Sequence, residues 1–143
     1  MKSVLIAAGI SLAAAGAAAA APKCPAEISA KQELFSAQQG WQGQQGTSTH
    51  RHARITFYDG PPAEQASLAP DETRRLSGRE FSTWRFGRSS KRAIWIECGY
   101  AGTSISLSQE LPAGTRSCSI TFDPKVRLSG LPRIEKLDCL PSD

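Results

Sequence analysis

No C-x-x-C or C-x-x-H pair occurs anywhere in the chain. That absence argues against the common structural zinc sites, which draw two ligands from one tight turn. There is no G-x-S-x-G elbow and no S-x-x-K, so neither of those nucleophile arrangements is present. Helical periodicity is weak throughout, which argues against a bundle. Beyond residue 21 no apolar run approaches the length that crosses a bilayer, so no transmembrane anchor is expected in the mature chain. Charge of one sign is in slight excess only, with 17 Lys and Arg against 13 Asp and Glu, a net +4. Such an excess supports solubility and weak attraction to anions. It does not argue for nucleic acid as a partner.

What is present begins with a leader. Lys2 precedes an uncharged stretch from Val4 to Ala21, in which Val4, Leu5, Ile6, Ile10 and Leu12 stand among alanines. It closes in small residues, with Ala18 and Ala20 two apart. This is the order of a secretory signal: charged start, apolar middle, A-x-A end. Cleavage is expected after Ala20, because a cut after Ala21 would put Pro22 just past the scissile bond. Residues 1–20 are therefore read as a cleaved signal peptide and residues 21–143 as one domain, enough chain to bury one core. A retained anchor is the weaker alternative, since alanine is only mildly apolar. A lipoprotein would need its cysteine directly behind the cut, whereas Cys24 follows Pro22 and Lys23. The expected location is periplasmic or secreted.

All four cysteines, Cys24, Cys98, Cys118 and Cys139, lie after that cut. An even number in a small exported domain reads as two disulfides, and three pairings are open. Cys118 begins one strand-like run and Cys139 ends the next, so in a hairpin they meet; Cys24 and Cys98 would then pair. Cys98–Cys118 is harder, because a simple meander puts the 105–107 strand between them. Two strands separated by a third lie about 10 Å apart, beyond the roughly 7 Å reach of a disulfide.

Period-two alternation recurs along the mature chain. It predicts strands at Ile28–Leu34, Ala53–Phe57, Phe81–Phe86, Ile94–Tyr100, Ile105–Leu107, Cys118–Phe122 and Leu137–Cys139. Ser36–Thr49 reads as a Gln- and Gly-rich loop, Pro62–Leu68 as a short helix or 3₁₀ turn, Asp71–Gly78 as a polar loop and Arg88–Arg92 as a basic turn. Asp123-Pro124 reads as a strand end. Trp84 and Trp95 are expected in the core rather than on a ligand platform. The sum is an all-β fold with minor α, an antiparallel sandwich or small barrel of about seven strands, closed by two disulfides.

Three places invite a functional reading. The segment Tyr58-Asp59-Gly60-Pro61-Pro62, with Glu64 behind it, has the composition of a rigid loop presented to a partner. Arg74, Arg75, Arg79, Arg85, Arg88, Lys91 and Arg92, interleaved with Phe81, Trp84 and Phe86, form a candidate patch for an anionic glycan or lipid. His50-x-His52 would put two rings on one side of a strand. No carboxylate or cysteine sits at ligand spacing, so these histidines are expected to be solvated surface residues. No catalytic residue, metal site or cofactor is assigned.

Cys24-Pro25, the run Phe57 to Pro62, Leu68, Pro70-Asp71, Trp84, Trp95, Cys98-Gly99-Tyr100, Leu111-Pro112-Ala113-Gly114 and Cys118 form a pattern over most of the mature chain. It resembles a family of small exported proteobacterial proteins of unknown function. That resemblance implies a periplasmic location and supplies no activity. Three functions are therefore weighed. The first is a non-enzymatic binding module, such as an inhibitor or immunity protein for a wall-active enzyme, with a periplasmic protein as partner. The second is a protein that binds an anionic envelope component through the Arg-rich hairpin. The third is a hydrolase without a recognisable motif.

Overall fold

The structure, a computed structural model, describes residues 22–87 and 91–141. Nine strands occur among them: β1 (Glu27–Gln32), β2 (Gly46–Asp59), β3 (Ser67–Leu68), β4 (Glu72–Leu76), β5 (Arg79–Arg85), β6 (Ile94–Tyr100), β7 (Ser106–Glu110), β8 (Thr115–Leu128) and β9 (Leu131–Pro141). All pairings are antiparallel. One sheet runs β1-β2-β6-β7, with β3 on β2; the other runs β4-β5-β8-β9.

The inner faces of the two sheets meet in one core. Phe57 of β2 and Ile96 of β6 pack from the first sheet, and Trp84 of β5 with Cys118 and Ile120 of β8 from the second. Phe86 and Leu111 close one end. Alternation decides which residues turn inward: in β6, Ile96, Cys98 and Tyr100 are buried while Glu97 between them is only half-buried. The Phe57 ring lies 5.0 Å from Trp84 and 5.5 Å from Phe86. The buried Trp84 ring keeps its N–H satisfied by donating to the Leu68 carbonyl at 2.9 Å, which ties β5 to the opposite sheet. Two disulfides, Cys24–Cys98 and Cys118–Cys139, have Cα separations of 5.7 and 4.1 Å. The second joins residues directly opposite each other on β8 and β9. The first ties the chain ahead of β1 to the centre of the first sheet.

The all-β reading holds, and its details shift. Of the short helix or 3₁₀ turn expected at 62–68, the 3₁₀ turn is present over Pro62–Glu64 only, and the strand β3 follows it. The expected loop at 71–78 contains β4, whose residues are all exposed. With no buried face, β4 has no hydrophobic alternation to read; it is held by pairing alone. Its hairpin to β5 turns on Ser77 (φ 52) and Gly78 (φ 75), the left-handed pair that two-residue hairpins favour. The expected 36–49 loop ends early, because β2 begins at Gly46. Asp123-Pro124 does not end its strand: β8 continues to Leu128 through a break in register. Trp84 is buried as expected, whereas Trp95 is half-buried, across from Tyr58 in the β2–β6 pairing. Arg88 lies outside the described residues.

Candidate binding surfaces

At one end of the sandwich the Tyr58–Glu64 loop folds back onto the start of β6. Gly60 has φ +95, the left-handed backbone region that favours glycine. The Gly60 N–H donates to the Ala93 carbonyl at 2.9 Å, and the Asp59 N–H to Ala66 at 3.0 Å. Pro61 and Pro62 set the first turn of the 3₁₀ segment. Glu64 pairs with Arg92; its hydrogen bond holds the Arg92 guanidinium pKa above the ordinary value. Beside this loop opens a cleft of about 670 Å³, lined by Phe86, Lys91, Arg92, Leu111, Pro112 and Arg116 among others.

The arginines of the candidate anion patch are not gathered into one cluster. Arg74 lies over the Phe81 ring, 5.6 Å from its centroid. Arg75 pairs with Glu80 at 3.0 Å, Arg85 with Glu72 at 2.9 Å, and Arg79 with Glu135. Those four stand on β4 and β5. Lys91 and Arg92 belong to the cleft at the end of the sandwich.

The histidines divide. His50 is buried, not solvated. Its Nδ1 lies 2.8 Å from the Ala101 carbonyl, which can only accept, so Nδ1 carries the proton. Nε2 then accepts from Ser48 Oγ at 2.7 Å and the Gln32 amide at 3.2 Å. Both ring nitrogens are engaged, and the ring latches β1, β2 and the turn after β6 together. Sequence missed it because the Gln32 amide and the Ala101 carbonyl lie 18 and 51 residues away. His52 is half-buried, its ring 5.8 Å from Tyr100, and donates from Nε2 to the Arg54 carbonyl at 3.1 Å. Between His52 and Arg54 the register against β6 slips by one residue, so Ala53 is the bulge. The slip flips the parity of β2 and keeps Ile55 and Phe57 facing inward. The ligand atoms of Cys24, His52 and Cys98 lie within 4.8 Å of one another. Both sulfurs are bonded to each other, so neither offers a thiolate.

Burial lowers the His52 pKa from 6.5, against a smaller upward pull from its bond to Arg54. The unfolded state therefore takes up the proton first. Stability is unaffected well above pH 6.5 and falls as pH drops through that value. Wild-type protein is expected to lose stability relative to His52→Asn between pH 7.5 and 5, read by urea unfolding at each pH. A constant difference across that range would contradict the assignment.

Among the described residues, no fully buried side-chain N or O lacks a partner. No helix among them is long and apolar enough to cross a membrane. The described residues form a small, disulfide-closed β-sandwich. The chain belongs to the family of type VI secretion system Tli immunity proteins, which it matches over residues 45–140. It is also 30% identical over 111 residues, 73% of each chain, to a protein of Azospirillum brasilense described as an uncharacterized 16.3 kDa protein in the trpG 5' region. No solved structure matches. Membership in an immunity family agrees with the binding function placed first in the sequence reading.

Proposed function

We propose that the mature domain binds and neutralises a type VI effector enzyme that attacks the cell envelope, in the manner of an inhibitor of a wall-active enzyme and without catalysis of its own. The observation that carries this reading is the family match over residues 45–140. The periplasm is the proposed site of action, and the leader at residues 1–20 would take the chain there. Two disulfides suit that oxidising space. They also hold the surfaces rigid before the partner arrives, which lowers the entropy lost on binding. The loop of Tyr58, Asp59, Gly60, Pro61, Pro62 and Glu64 is one proposed contact. It is pinned by the Gly60–Ala93 hydrogen bond and the Glu64–Arg92 pair.

Cells that carry a type VI apparatus and lack this chain are expected to be killed on contact with their armed siblings. Full-length protein restores survival; protein begun after residue 20, and so kept in the cytoplasm, does not. Undiminished survival of the cells without the chain would remove the immunity reading. Protection by the leaderless form would remove the periplasmic one.

A further inference from the structure

At the end of the sandwich opposite the Tyr58–Glu64 loop, each sheet runs past its neighbour. β2 pairs with β6 only from His52 onward, so Gly46–Arg51 extends with β1 alone. β8 pairs with β5 only as far as Phe122, so its remainder extends with β9 alone. These two hairpin extensions come from different sheets and leave a groove of about 450 Å³ between them.

The groove has an apolar floor and a cationic rim. Ile55, Ile134, Leu137, Val126 and Leu128 line it with Cys24 of the first disulfide. Lys23, Arg51, Arg127, Arg133 and Lys136 stand around them, against one carboxylate, Glu135. Glu135 is already engaged by Arg79 and Arg133. Arg127 donates to the Gly130 carbonyl at 2.7 Å rather than to an acid. Lys23 and Arg51 make no ion pair among the described residues. The wall that carries Val126 is built in. From Asp123 to Arg127 the partner on β9 moves only from Arg133 to Pro132, so residues 124–126 bulge. Pro124 has no N–H to pair, which suits a bulge. Buried Asp123 holds the bend, accepting from the Lys125 N–H at 3.0 Å and from Arg133 at 3.2 Å.

Large apolar side chains stand open at the same end. Leu34 is 62% exposed, Trp41 78%, and Phe35 is fully exposed, all in the loop joining β1 to β2. Val126 and Leu131 are exposed on the facing hairpin. Exposed apolar side chains beside unmatched cations, as Val126 stands in the groove with Lys23 and Arg51, are what a protein contact uses as anchors.

We infer that this groove anchors the effector, taking a protruding segment that carries carboxylates among apolar side chains. The inference rests on the immunity reading and adds where the partner is held and what chemistry it presents. Charge selects the carboxylates: Lys23 and Arg51 gain on the partner the counter-charge they lack at home. Shape selects a chain segment, because a cleft with a wall from each sheet admits a protrusion and leaves a flat bilayer outside.

The test uses full-length chain exported with its leader and recovered oxidised from the periplasm. The probe is the effector that wild-type protein retains from the secreted fraction of the armed siblings, titrated by calorimetry. Lys23→Glu with Arg51→Glu touches no internal ion pair, so the fold is expected to survive, checked by thermal unfolding. Affinity is expected to fall on the order of 100-fold or more. Lys23→Arg with Arg51→Lys is expected to bind as wild type does. A folded charge-reversal variant that binds with wild-type affinity overturns the inference while leaving the immunity reading standing. So does a variant that loses binding only to phosphatidylglycerol vesicles, which would make the groove a lipid site. Wild-type protein that retains no effector, together with unharmed cells lacking the chain, removes both.

Discussion

Phe57→Ala is expected to lower the free energy of unfolding by about 3–5 kcal/mol. Phe57 is 0% exposed and is among the largest fully buried side chains. Its ring meets Trp84 and Phe86, which come from the other sheet and its exit. Truncation removes the transfer energy of the ring and also leaves a cavity, because β2 is held on both edges by backbone pairing and cannot move in to fill it. Small domains have only about 5–15 kcal/mol in hand, so this one change consumes much of it. Urea unfolding followed by tryptophan fluorescence reads the result directly, since Trp84 lies against the missing ring. A loss under about 1 kcal/mol would mean that the two sheets do not meet where the structure places them.

Cys24→Ala with Cys98→Ala is expected to cost about 4.5 kcal/mol, and Cys118→Ala with Cys139→Ala about 3 kcal/mol, by loop-closure entropy. The order follows from the loops closed: 74 residues for the first pair and 21 for the second. The first bridge has a further consequence. The chain ahead of β1 is otherwise held by few contacts, chiefly the Tyr100 hydroxyl donating to the Pro25 carbonyl at 3.3 Å and the His52 N–H donating to Ala26 at 2.8 Å. Releasing Cys24 frees Lys23 from the groove rim, so effector affinity is expected to fall along with stability. Removal of the Cys118–Cys139 bridge, which links two strands already paired along their length, is expected to leave binding to the surviving folded protein unchanged. Unfolding curves and effector titration on both double variants decide this. Equal losses of stability, or a binding loss confined to the second pair, would contradict it.

How far the fold was legible depended on burial. β5, β6 and the first half of β8 have one face in the core, and their alternating residues announced them. The pairing of Cys118 with Cys139 followed from their places at the ends of one hairpin. β4 has no inward face and carried no such signal. The bulges at Ala53 and at 124–126 were hidden because a change of parity shows only against a partner strand. His50 was misread as solvated for the same reason: the Ala101 carbonyl that fixes its tautomer is distant in sequence. Of the surfaces, the Tyr58–Glu64 loop was visible because proline and glycine write backbone shape locally. The groove was not, since its rim draws on residues 23, 51, 127, 133 and 136.

The strands with one face in the core and an even set of cysteines were matters of local composition and spacing, and the chain alone determined them. Which strands run past their neighbours, which cations lose their counter-charges and which apolar side chains face one another across a gap were decided only by tertiary structure. The reason is physical: alternation and turn chemistry act over a few residues, whereas a groove is made by the register and length of strands in two separate sheets.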